Sequence, residues 1–210
     1  PKGGEYPGRG IAIGIDEIDL EPVFVDFESD PFLLVFGESE SGKTNLLRLI
    51  AKQISERYTP DQARLVVGDY RRSLLGALPE EHLLEYAPMA SSLQMHMEAL
   101  GGVFSRRQPP TDVTPQQLRD RSWWTGPDVF IIIDDFEMTE SVGSAGPLAP
   151  LVPLLADASD VGVHVIIARS TAGASRSMSN AAIRKMWELG TPALLLSCPK
   201  QEGSFLGNLK

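Results

Sequence analysis

The chain has 210 residues, 42% hydrophobic and 22% charged, an ordinary globular composition with enough material for one sizeable core and crowded for two. A formal net charge of −9 weighs against a broad, non-specific grip on nucleic acid, which relies on clustered Lys and Arg. The single cysteine, Cys198, excludes an internal disulfide, no apolar run approaches the ~18 residues of a membrane helix, and no signal peptide is visible.

Pro1 to Gly10 is rich in glycine and proline and reads as a linker, with residues 11–210 as a single domain of a longer polypeptide. Ile11 to Ile15 and Val23 to Phe27 cluster β-formers around an acidic turn, which predicts a short hairpin. Phe32 to Phe36 is apolar without alternation, as in a strand buried on both faces of a parallel sheet. Gly37-Glu38-Ser39-Glu40-Ser41-Gly42-Lys43-Thr44 follows and fits G-x-x-x-x-G-K-[ST]. A helix is expected from Asn45 to Tyr58, with Leu46, Leu47, Ile50 and Ile54 on one side and Arg48 and Lys52 turned away.

Further along, Ala63 to Asp69 reads as a strand and Ser92 to Ser105 as a helix with Leu93, Met97 and Leu100 inward. Arg106 to Thr114 reads as a surface loop. Thr114, Pro115 and Gln117 then carry the N-cap, N1 and N3 signals of a helix start. Val129 to Ile133 is a buried strand, Gly143 to Pro147 a flexible loop, and Leu148 to Ala156 a short helix interrupted by prolines. His164 to Ala168 is a strand, Asn180 to Leu189 a helix and Ala193 to Leu196 a final strand. Strands alternating with helices imply an α/β fold of the P-loop NTPase kind: a mainly parallel sheet with helices on both faces, preceded by the hairpin.

The strand, glycine loop and helix at Phe32 to Tyr58 are the parts of a phosphate cradle, in which backbone N–H groups wrap an anion. Gly37 to Asn45 (Gly37, Glu38, Ser39, Glu40, Ser41, Gly42, Lys43, Thr44 and Asn45) are the candidate ATP-binding residues. Lys43 would reach the β- and γ-phosphates and Thr44 would bind Mg²⁺. Glu38 and Glu40 are expected to face solvent. Asp134 ends a buried strand and is the candidate Mg²⁺ acid; Asp135, one methylene shorter than glutamate, is the candidate for polarising the attacking water. Arg169, Arg176 and Arg184 are candidates for stabilising charge on a transferred phosphoryl group, and Ser170 for sensing the γ-phosphate. Of Trp123 and Trp124, one is expected in the core and the other at an interface or pocket. His82, His96 and His164 have no metal spacing, and Cys198 has no paired thiol or visible base.

Gly37 to Arg48, Asp69-Tyr70-Arg71-Arg72-Ser73-Leu74-Leu75, Arg121-Ser122-Trp123-Trp124-Thr125-Gly126-Pro127 and Ala172-Gly173-Ala174-Ser175-Arg176 together resemble the C-terminal ATPase domain of the EccC proteins of type VII (ESX) secretion systems. These belong to the FtsK/SpoIIIE branch of P-loop ATPases, and the resemblance covers nearly the whole chain. It implies a parent protein with a membrane anchor and tandem ATPase domains, working at the cytoplasmic face of the plasma membrane to export WXG-type helical-hairpin proteins. The partners implied are the C-terminal tails of those proteins and neighbouring ATPase domains. Trp123, Trp124 and the Met89 to Met97 segment are candidate lining for a tail-docking groove. DNA-pumping relatives carry Asp-Glu where this chain has Asp134-Asp135, and Ala-Thr-Gln-Arg where it has Ala168-Arg169-Ser170-Thr171. The resemblance therefore implies ATP binding with slow hydrolysis. The competing reading is a DNA translocase motor, against which the acidic balance and the missing glutamine both count.

Overall fold

A computed structural model describes residues 10–139 and 146–199. The linker up to Arg9 and residues 143–145 of the expected flexible loop lie outside the described residues.

Among the described residues eight strands form two sheets. The strands are β1 (Ile11–Ile15), β2 (Pro22–Val25), β3 (Phe32–Gly37), β4 (Ala63–Asp69), β5 (Leu83–Ala87), β6 (Asp128–Asp134), β7 (Val163–Ser170) and β8 (Ala193–Leu195). β1 and β2 pair antiparallel as the expected hairpin. The other six form one parallel sheet in the order β5-β4-β6-β7-β3-β8. All six residues of β3 are buried, and they alternate between two cores. Phe32, Leu34 and Phe36 join one, Leu33 and Val35 the other. β6 divides in the same way, with Val129, Ile131 and Ile133 opposite Phe130 and Ile132. The two-residue period of a strand thus explains why these runs carry no polar alternation: both faces are covered.

One face is covered by α1 (Lys43–Arg57), through Leu46, Leu47, Ile50, Ala51 and Ile54, and by the hairpin residues Ile11 and Val25. The hairpin is tied to α1 by reciprocal hydrogen bonds between the Ala12 backbone and the Gln53 amide, and by Arg57 donating to the Gly10 carbonyl at 2.9 Å. The other face is covered by α2 (Ala90–Ser105), through Leu93, Met97 and Phe104, and by α5 (Ala181–Glu188), through Ala182, Ile183 and Met186. Between these two elements runs a 3-10 segment, Gly146–Asp157, where a proline-broken helix was expected. Its sequence explains the difference. Prolines 147, 150 and 153 and leucines 148, 151 and 154 repeat every three residues. That period matches three residues per turn and sets the leucines on one ridge against α2 and the sheet.

Two short helices complete the set, α3 (Pro115–Asp120) and α4 (Ala158–Val161). α3 starts with the full capping box at Thr114 and Gln117, with Pro115 in the first turn. β5 was not expected. Its residues Leu83 to Ala87 alternate only weakly, and it is an edge strand paired on one side with β4. The two tryptophans also depart from expectation, since both are half-buried. Trp123 Nε1 donates to the Arg107 carbonyl at 2.6 Å and Trp124 Nε1 to the Asp160 carbonyl at 2.8 Å. The Arg107 guanidinium lies 4.1 Å from the centroid of the Trp124 ring and donates to the Pro127 and Val161 carbonyls. At Gly162, φ is 73° and an added Cβ would lie 2.7 Å from Trp124. The double tryptophan is a rivet at the amino ends of β6 and β7.

The register aligns the carboxyl ends of the strands. Gly37 sits beside Ser170, and Asp69 beside Asp134. Because β7 lies between β3 and β6, the chain leaves β3 in one direction and β7 in the other, which opens a crevice at that edge.

Adjacent positions on α1 test the packing. Ile50 is fully buried and Leu49 is 40% exposed. Ile50→Ala is expected to cost about 3 kcal/mol in urea unfolding and Leu49→Ala below about 1 kcal/mol.

Candidate functional site

The loop between β3 and α1 lies at the carboxyl edge of the sheet. Gly42 has φ 99°, which favours glycine, and at Gly37 an added Cβ would crowd the side chains of Ser41 and Leu196. Glu38, Ser39 and Glu40 are exposed, as expected for the two acids, and Glu40 adopts φ 62°. The Glu38 N–H donates to Ser197 Oγ at 2.7 Å. α1 begins at Lys43, two residues before the expected start. Its N-terminus has no side-chain cap and no acid in the first turn. A 15-residue helix therefore presents unsatisfied N–H groups and the positive end of its dipole to the loop, which suits an anion.

Lys43 is buried, and its Nζ donates to the Gly37 carbonyl at 2.9 Å and the Glu38 carbonyl at 2.7 Å. Thr44 Oγ1 donates to Asp134 Oδ2 at 2.6 Å. Asp134 is almost wholly buried, and its Oδ1 accepts from the Asp135 N–H at 3.0 Å. Asn45 is exposed, and its Oδ1 accepts from Arg48 at 3.2 Å. Arg48 also donates to the Ser73 carbonyl, so it staples α1 to the β4–β5 connection rather than turning away.

A cavity of about 340 Å³ lies here, lined by Ser39 to Asn45 on one side and by Arg71, Ser73, Asp135, Glu137 and Ser170 on the other. Gly37, Glu38 and Asp134 are not among the lining residues. Asp135 adopts φ 49°, and its Oδ2 accepts from Arg71 Nε at 2.8 Å. Burial, with Asp134 beside it, pushes the Asp135 carboxyl up from the usual carboxylate range. Glu137 Oε2 accepts from the Ser170 N–H at 3.1 Å. Of the candidate arginines, Arg169 is buried at the end of β7, while Arg176 and Arg184 are exposed. None of the three lines the cavity, and the arginine that does is Arg71.

Arg71, Ser73 and Glu137 were not named as site residues from the sequence, although Arg71 and Ser73 lie in a segment that carries the family resemblance. Arg71 and Ser73 follow Asp69, a strand-ending acid in register with Asp134, and that parity was the available signal. Glu137 lies in a short 3-10 turn, Phe136–Thr139, whose direction no local pattern gives.

A second, apolar cavity of about 430 Å³ adjoins the first and shares Ser41, Gly42 and Asn45 with it. Its other walls are Ile13, Ile15 and Val23 of the hairpin, Leu46 and Leu49 of α1, and Leu194 and Leu196. A third cavity, of about 390 Å³, lies at the opposite end of the sheet. There buried His164 stacks on Phe130 and bonds Asp128 at 3.3 Å, a packing role. Among the described residues no cluster of His, Cys, Asp and Glu could hold a metal ion on its own. A Mg²⁺ here would share its coordination with phosphate oxygens. The hydroxyl of Thr44 against the carboxylate of Asp134, both oxygen donors, suits a hard cation held in that way.

No protein-family model matches the chain. It is 49% identical over 203 residues to the ESX secretion system protein EccC of Thermomonospora curvata, a match covering 97% of this chain and 15% of that protein. It is 36% identical over 207 residues to the ESX-4 secretion system protein EccC4 of Mycobacterium tuberculosis, covering 99% of this chain and 17% of that one. The solved structure of Thermomonospora curvata EccC ATPases 2 and 3 in complex with a signal sequence peptide superimposes with a TM-score of 0.90 at 48% identity, covering 97% of this chain and 37% of that chain. The chain thus spans under a fifth of the length of these two curated relatives. By sequence and by fold, it belongs to the EccC family of type VII (ESX) secretion ATPases, in the FtsK/SpoIIIE branch of P-loop proteins.

Proposed function

We propose that residues 11–210 are a single ATP-binding domain of an ESX export ATPase, which binds Mg-ATP, hydrolyses it slowly and contributes to recognition of WXG-type secreted proteins. The observation that carries the nucleotide reading is the Thr44–Asp134 contact beside an uncapped helix N-terminus. In this reading the N–H groups of Ser39 to Asn45 bind the phosphates. Lys43 exchanges its two loop carbonyls for β- and γ-phosphate oxygens. Thr44 and Asp134 hold Mg²⁺, which neutralises charge on the phosphoryl oxygens. The base enters the adjoining apolar cavity, where it is gripped by shape rather than by polar contacts. Asp135 faces the terminal phosphate but is engaged by Arg71, and Glu137 is engaged by Ser170. Both engagements support slow turnover.

The export role draws on the family and on the solved relative that carries a signal sequence peptide. The corresponding partner here is the C-terminal tail of a WXG-type protein, with neighbouring ATPase domains alongside. The site of action is the cytoplasmic face of the membrane. Among the described residues no helix is long and apolar enough to cross a membrane.

Lys43→Ala is expected to weaken ATP binding by about 10- to 100-fold in a fluorescent-nucleotide titration, the worth of a charge-assisted hydrogen-bond donor. Retained affinity would sink the phosphate-loop reading. Leu49→Asn is expected to weaken ATP about tenfold while leaving inorganic tripolyphosphate binding unchanged, because it removes apolar lining from the base cavity without adding charge beside the phosphates. A third titration compares a labelled WXG-protein tail with duplex DNA, both with Mg-ATP present. The export reading expects saturable tail binding that survives moderate salt. Tight, salt-sensitive DNA binding without tail binding would favour a DNA motor.

A further inference from the structure

The stretch Asp69 to Leu75 holds no phosphate in the reading above, yet its conformation is over-determined. Asp69 is fully buried and accepts four hydrogen bonds: Ser73 N–H at 2.9 Å, Ser73 Oγ at 3.1 Å, Leu74 N–H at 2.7 Å and the Tyr86 hydroxyl at 2.9 Å. From the other side, Arg48 of α1 holds the Ser73 carbonyl, and Ser73 Oγ lies 3.3 Å from Asp134 Oδ2. Arg72 takes the left-handed conformation at φ 57°, which turns the chain sharply just after Arg71. A connection pinned at this many points does not swing as a free loop. It delivers one guanidinium, that of Arg71, to the mouth of the phosphate-side cavity, where Nε meets Asp135 Oδ2 at 2.8 Å.

Asp135 is constrained from its own side too. Its N–H bonds Asp134 Oδ1, and its backbone sits at φ 49°. Its carboxylate, 15% exposed, is thus aimed into the cavity and held across it. We propose that Arg71 is a positioning residue that restrains Asp135 by this ion pair and so keeps ATP hydrolysis slow. The inference rests on the nucleotide reading proposed above. In hydrolysis a water oxygen bonds to the γ-phosphorus while the bond to the ADP oxygen breaks, and the water's protons leave with the phosphate product and solvent. Asp135 assists by accepting a hydrogen bond from that water. A carboxylate oxygen already occupied by a guanidinium is turned from this task and is a weaker acceptor. The buried pins belong to the connection, while Arg71 itself is 64% exposed. The pair is therefore the one breakable link in the arrangement, open to competition by an anion from outside the domain.

The test uses the wild type, Arg71→Ala, Arg71→Lys, Asp135→Asn and the Arg71→Ala/Asp135→Asn double variant. Three quantities are measured: urea stability without nucleotide, fluorescent-ATP affinity, and turnover. The expected results are a favourable stability coupling between positions 71 and 135, unchanged ATP affinity in Arg71→Ala, and turnover raised about fivefold in that variant, the scale of one partly exposed ion pair. Arg71→Lys keeps the slow rate, and the gain disappears when Asp135→Asn is present. Absent coupling, an unchanged or lower rate, or a gain that persists with Asp135→Asn would overturn the inference and leave the nucleotide reading standing. A loss of ATP affinity in Arg71→Ala would assign Arg71 to phosphate binding instead and overturn it as well. Failure of every form, wild type included, to bind ATP would remove both readings.

Discussion

Backbone pairing in the central sheet governs the rest of this structure. Strands covered on both faces have no water to satisfy their N–H and C=O groups, so each must pair with a neighbour in a fixed register. Once β3 lies in register with β7, and β4 with β6, the strand ends are no longer independent. Gly37 arrives level with Ser170, and Asp69 level with Asp134. A one-residue slip would turn each apolar run over to the opposite core and carry the strand-end groups out of reach. The Thr44–Asp134 contact, which joins residues 90 positions apart, is therefore a product of hydrophobic packing far from it.

The elements most legible in the sequence were those whose burial is uniform or whose local chemistry is explicit. β3 and β6 read as uninterrupted apolar runs, and the start of α3 was written in Thr114, Pro115 and Gln117. The 3-10 segment was misread because its period of three was taken for a damaged helix. The leucine spacing carried the true signal. β5 was missed because an edge strand needs only one partner and one covered face, which leaves a weak pattern. The tryptophans were misassigned because their partner, Arg107, comes sixteen residues earlier in what reads as a plain surface loop.

At the site, the residues of the loop and of the β6 end could be named because a glycine motif and a strand-terminal acid are local features. Of the opposite wall, Arg71, Ser73 and Glu137 could not. Arg71 reaches Asp135, 64 positions further along the chain, a pairing that the register of β4 on β6 creates. Glu137 meets Ser170 for a comparable reason, through the placement of β7 beside β6. The electrostatic balance follows from both walls together. Asp135 and Glu137 line the cavity with Asp134 beside Asp135, and Lys43 and Arg71 are the cations among them. A polyanion entering such a place depends on backbone dipoles and on a metal ion as much as on side-chain charge.

The attachment of the hairpin has a mechanical consequence. The segment at Gly10 is fastened to α1 through Arg57, Gln53 and the Ala12 backbone. α1 is also the helix whose first turn forms the loop floor at Lys43 and Thr44. Tension applied to the chain ahead of Gly10 would load the far end of that helix, about four turns from the loop. The helix then acts as a lever between whatever precedes the hairpin and the phosphate loop, with the sheet as its fulcrum.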